Sequence, residues 1–168
     1  MKTFILILLV LPHVLSAQNH SDAFIKYFNK DVNVYQYPIG DYIKFKVFQD
    51  SINETNYYNV VFLQNSPLRF KVRIQAYDTS PFLEGWVDKD CIAVYPRYSL
   101  DEKGNNYFII YEQPLLKSGS RRVYEKIDST LTVIDYNENW VKVIFMIDGV
   151  LHTGWTNHFC TNIYNSCT

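Results

Sequence analysis

Apolar and polar positions alternate along most of the chain, over short runs with a period of two. Phe45 and Val47 flank Lys46, Phe70, Val72 and Ile74 are spaced by Lys71 and Arg73, Val141 and Val143 enclose Lys142, and Thr132-Val133-Ile134 adds a β-branched run. Alternation built from β-branched and aromatic residues predicts strands with one buried face. Turn-forming residues punctuate these runs at Asp50-Ser51, Asn65-Ser66-Pro67, Ser118-Gly119-Ser120, Asn137-Glu138-Asn139 and Asp148-Gly149. The last pair is the strongest hairpin signal, because Asp-Gly suits the positive φ angles of a tight turn. Many short strands at such spacing predict a small barrel or sandwich. Ser21 to Lys30 departs from the pattern: Phe24, Tyr27 and Phe28 fall on one helical face behind Ser21 as N-cap, which predicts one short N-terminal helix.

The pattern is also duplicated. Gly85-Trp86-Val87-Asp88-Lys89-Asp90-Cys91-Ile92-Ala93-Val94-Tyr95 aligns without gaps on Gly154-Trp155-Thr156-Asn157-His158-Phe159-Cys160-Thr161-Asn162-Ile163-Tyr164, sharing G-W-x4-C-x3-Y. Upstream, Phe70-Lys71-Val72-Arg73-Ile74 answers to Trp140-Val141-Lys142-Val143-Ile144, with Phe70 in the place of Trp140. Further upstream, Val34-Tyr35-Gln36-Tyr37-Pro38 is similar to Ile110-Tyr111-Glu112-Gln113-Pro114. The chain therefore divides into a leader (1–17), a short N-terminal helical segment (18–31), a first unit (32–97), a polar linker (98–106) and a second unit (107–168). Units this small bury a smaller fraction of their surface than a larger domain and are marginally stable alone, so the two gain by packing together.

The order Y-x-x-P, apolar strand, W-V-K-V strand, hairpin turn and G-W with a closing strand resembles the bacterial SH3-like domain. The second unit carries it as Tyr111 to Pro114, Trp140 to Val143, Asp148-Gly149 and Gly154-Trp155. The first unit departs from it, with a longer Asp78 to Phe82 turn where the second has Asp148-Gly149. The resemblance implies a mainly β protein of two tandem small SH3-like barrels. It also implies a non-catalytic module that binds peptides, cell-wall components or a neighbouring protein.

Residues 1–17, with Lys2, the apolar run Phe4 to Leu11 and the small pair Ser16-Ala17, read as a signal peptide. The expected location is therefore periplasmic or cell-surface, and no stretch is long and apolar enough for a membrane-spanning helix. Hydrophobic residues make up 48% of the chain and the formal net charge is −1, which argues against a disordered chain and gives no support to a nucleic-acid partner. Export permits disulfides, and Cys160 and Cys167 are the candidate pair, whereas Cys91 begins an apolar run and reads as a small buried hydrophobe.

Tyr35, Tyr37, Pro38, Trp86, Tyr111, Pro114 and Trp155 are the candidate ligand-binding residues, because aromatic faces beside prolines suit extended peptides and sugars. For the two tryptophans, packing within or between the units is the competing role. No catalytic residue, metal site or cofactor is expected. Cys91 and Cys160 share one repeat position, which argues for structure rather than for a nucleophile paired with His20, His152 or His158, and His158, Cys160 and Cys167 lack the paired spacing of zinc ligands. The expected partner is a cell-wall fragment or another exported protein.

Overall fold

The computed structural model describes residues 22–27, 29–49, 58–76, 79–124 and 130–161. The leader and Cys167 lie outside them. The described chain is mainly β: β1 (Ala23–Ile25), β2 (Asp31–Tyr35), β3 (Ile43–Phe48), β4 (Tyr58–Asn65), β5 (Arg69–Ala76), β6 (Thr79–Asp88), β7 (Ile92–Pro96), β8 (Ser99–Leu100), β9 (Asn106–Tyr111), β10 (Ser120–Val123), β11 (Leu131–Asn137), β12 (Trp140–Ile147), β13 (Val150–Thr156) and β14 (Phe159–Cys160). A single 3₁₀ turn, Lys89–Cys91, is the one helical element among the described residues. No described helix is long and apolar enough to cross a membrane.

The strands form one open antiparallel sheet in the order β10-β9-β13-β12-β11-β7-β1-β4-β5-β6-β2-β3, with β14 beside β7 and β8 beside β9. This order is a palindrome of the duplicated units: β1 to β6 on one side answer to β7 and β9 to β13 on the other. Details repeat as well. Val72 faces Gly85 and Val143 faces Gly154, and the register slips between Phe62 and Gln64 in one half and between Val133 and Asp135 in the other. The halves meet where β1 pairs with β7 through Phe24–Ala93 and Ile25–Ile92. That register continues to place Ala23 opposite Val94, on a local twofold axis. Across the axis the rings of Phe24 and Tyr95 stack with centroids 4.8 Å apart.

The core runs through both halves. Phe70, Val72 and Ile74 of β5 and Val141, Val143 and Phe145 of β12 all point inward. Phe62 stacks on Tyr136 from the opposite half with centroids 4.5 Å apart, and both lean on Phe70. Buried Gln49 ties the first half to the axis, donating to the carbonyls of Ile25 (2.6 Å) and Tyr27 (3.0 Å) and accepting from the Tyr58 N–H. Burial without loss of hydrogen bonds keeps this amide from being a liability.

Among the described residues the N-terminal segment forms no helix: Ala23–Ile25 is strand β1. Three consecutive buried residues, flanked by β4 and β7, obtain a backbone partner on each side, and this outweighs a helical spacing of only three aromatic residues. The Asp148-Gly149 hairpin is found as expected, with φ of 50° and 78°. In the first half the longer turn is not found, because Thr79 already belongs to β6 and pairs with Ala76. The repeat register also shifts by one residue. Val72 and Val143 are equivalent, so Arg69, not Phe70, occupies the place of Trp140.

Gly85 and Gly154 let the hairpin strands approach β2 and β9. A Cβ at Gly154 would collide with Ile110 Cγ2 and one at Gly85 with Val34 Cγ1, both buried. Gly154→Ala and Gly85→Ala are each expected to cost about 1–3 kcal/mol by forced displacement of a core side chain, read as a lower urea midpoint with unchanged slope.

Candidate functional site

The duplicated chemistry lies on the face of the sheet opposite the core. On β6 and β13 the buried glycine points inward, so the tryptophan that follows points outward. Trp86 pairs in register with Tyr35 on one side and Lys71 on the other. Trp155 pairs in the same way with Tyr111 and Lys142. Each half thus carries a cross-strand row of tyrosine, tryptophan and lysine, and the Lys142 ammonium sits 6.0 Å from the Trp155 ring centre. Both tryptophans are half-buried, which presents a ring surface to a ligand and leaves the rest packed on neighbours.

The two rows end differently. In the first half the Arg69 guanidinium lies 3.4 Å from the Tyr35 ring centre. Arg69 is 7% exposed, and its Nε donates to Asp88 Oδ1 at 2.7 Å while Nη1 donates to the carbonyls of Tyr37 (3.2 Å) and Gly40 (2.6 Å). One side chain therefore covers Tyr35, which is buried, and clamps the β2–β3 loop that carries Tyr37 and Pro38. In the second half Trp140 meets Tyr111 edge-on at 5.0 Å, and Tyr111 stays half-buried. A cleft of about 270 Å³ opens beside it, lined among others by Glu112, Arg121, Lys142, Thr153 and Gly154. Arg121 Nη2 lies 3.0 Å from His152 Nδ1 at its rim.

The structure thus brings Tyr35 to Trp86 and Tyr111 to Trp155, and separates the remaining expected residues from them. Tyr37 is 58% exposed and faces Tyr42 with ring centres 6.4 Å apart. Pro38 and Pro114 are half-buried in the β2–β3 and β9–β10 loops. Arg69, Lys71, Arg121, Trp140 and Lys142 are site residues that the sequence reading did not single out. A larger, more open cleft of about 650 Å³ lies at Tyr98, Asn105, Asn106 and Tyr124 and contains none of the repeated residues.

Nothing among the described residues gathers three or more metal-ligating side chains. Cys160 is disulfide-bonded, and its expected partner Cys167 lies outside the described residues. Cys91 is a free thiol, half-buried, and burial followed by the neighbouring Asp90 carboxylate pushes its pKa up to about 12. A thiol so held is a poor nucleophile at neutral pH. Burial and the Arg97 charge lower the pKa of His158. No family model, curated protein or solved structure matches the chain.

Replacing Arg69 with Met is expected to cost about 2–3 kcal/mol, because it leaves a half-buried carboxylate and two loop carbonyls without their donor. Arg69→Lys restores little of this, since one ammonium cannot span three acceptors as the planar guanidinium does. Urea denaturation of both variants checks the pair. Cys91 in the folded protein is expected to react with an aromatic disulfide reagent at pH 8 at least tenfold more slowly than after unfolding in urea, because a thiol with its pKa raised to about 12 carries very little thiolate at pH 8.

Proposed function

We propose that the chain is an exported, non-catalytic binding module of two tandem SH3-like units that recognises cell-wall peptide or glycan. The observation that carries this reading is the duplicated Tyr-Trp-Lys row. Half-exposed indoles offer a flat apolar face and an N–H donor to a sugar ring or peptide, and the lysine adds a cation for a carboxylate. Two such rows on one sheet would raise avidity for a polymer long enough to reach both. The leader read from the sequence supports a location where such polymers occur.

A second reading, a protein–protein adaptor or inhibitor of another exported protein, draws on a separate observation. The equivalent β2–β3 and β9–β10 loops both expose apolar side chains: Ile39 (73%) and Tyr42 (69%) on one, Leu115 (54%) and Leu116 (66%) on the other. Clustered apolar loops of this kind are a feature of protein interfaces.

Co-sedimentation of the mature protein with insoluble peptidoglycan, at low and high salt, separates the two. Salt-resistant pelleting that a wall-digesting enzyme abolishes is the expected result, with Trp155→Ala weakening it fivefold or more while circular dichroism reports an intact fold. Protein that stays in the supernatant removes wall recognition and leaves the protein-partner reading.

A further inference from the structure

Each half contains one hairpin strand that is paired along one side and almost bare along the other. β13 meets β12 at every position from Val150 to Thr156, yet it meets β9 only through Trp155 and Tyr111. Before that bridge β9 already lies against Gly154, but Val150–Thr153 has no ladder partner on its second side among the described residues, where the Arg121 guanidinium reaches His152 Nδ1. The cleft of about 270 Å³ opens at this edge, with Thr153 and Gly154 contributed by β13 and Glu112, Ser120 and Arg121 by the β9–β10 hairpin.

The corresponding edge in the first half is obstructed. β6 bridges β2 only at Trp86 and Tyr35, but Lys44 Nζ donates to the Glu84 carbonyl at 2.9 Å. Glu84 precedes Gly85 as Thr153 precedes Gly154, so the lysine occupies in one half an acceptor edge that receives no such donor in the other among the described residues. Arg73 holds Glu84 further, with Nη2 2.9 Å from Oε1.

A row of strand backbone groups without a partner is a template for an added strand. The lining of this one states what it prefers: Arg121 and Lys142 supply two cations against the single carboxylate of Glu112. Pockets for small ligands typically hold about 300–1,000 Å³, so this cleft suits one or two side chains of a peptide running along the edge rather than a whole compact ligand. The geometry points to strand addition: Val150–Thr153 of β13 receives an extended peptide whose carboxylates pair with Arg121 and Lys142. This rests on the reading that the chain binds wall peptide or glycan, and selects peptide.

Fluorescence anisotropy on the full mature chain tests it, using a labelled, capped hexapeptide that alternates valine and glutamate. Two comparison probes are its valine–lysine counterpart and a glutamate peptide N-methylated at alternate backbone positions. The glutamate peptide is expected to bind saturably, and both the lysine peptide and the N-methylated peptide at least tenfold more weakly. Lys142→Glu and Arg121→Glu are each expected to weaken the glutamate peptide tenfold or more with unchanged thermal melting. The peptide-side comparisons require no change in the protein, so they stand if a variant misfolds. Equal binding of the N-methylated peptide overturns strand addition, and unaltered affinity in two folded variants overturns the cationic cleft. Pelleting with the wall but no peptide binding overturns this inference and leaves wall recognition standing, whereas peptide binding without pelleting keeps the site and removes the wall as its source.

Discussion

Pairing between β1 and β7 is the constraint from which the rest of the architecture follows. Two short strands, three and five residues long, carry the local twofold axis and connect both halves of the sheet. Each has one edge committed to its own half, through β4 or β11, and the other to its counterpart. The residues at the crossing, Ala23, Ile25, Ile92, Ala93 and Val94, are fully buried. Neither strand has a free side, so neither half can be completed without the other's contribution. Small size gives the same answer on energetic grounds, since a 60-residue unit alone buries too little apolar surface for comfort.

From this junction the two halves repeat one plan and then diverge at one position. Arg69 and Trp140 start the equivalent strands β5 and β12 and cover the same tyrosine position. The guanidinium lies flat on Tyr35 and spends its remaining donors on Asp88 and the loop carbonyls. The indole and the Tyr111 ring meet in a T-shaped contact. A planar cation suits the first role because its donors radiate in one plane while its face stays available for stacking. Duplication thus left one corner stiff and closed, and the other aromatic and open.

Much of the strand pattern was legible in the sequence. The turn at Asp148-Gly149 fixes every pair in its hairpin, so it already implies Lys142 opposite Trp155. The same deduction fails in the first half because β5 and β6 slip register between Ile74 and Ala76. This irregularity hid the equivalence of Arg69 and Trp140 behind the more obvious match of two aromatic residues. The pairs Tyr35–Trp86 and Tyr111–Trp155 join strands far apart in sequence, and only the fold supplies them. The N-terminal segment was misread for a related reason: a run of three apolar residues is equally compatible with a buried strand or a helix, and its neighbours in space decide. Tyr37, Pro38 and Pro114 were chosen because aromatic faces beside prolines suit extended ligands, and the fold places them in the β2–β3 and β9–β10 loops, with Tyr37 exposed.

A sheet that does not close keeps two outermost strands, β3 and β10. Their sequences, Ile43-Lys44-Phe45-Lys46-Val47-Phe48 and Ser120-Arg121-Arg122-Val123, each place two cations on the strand. Copies of the molecule that approached edge to edge would bring like charges into register at either end, a standard protection against runaway strand pairing. Charge at both ends of the sheet therefore opposes its extension by another copy of the same chain.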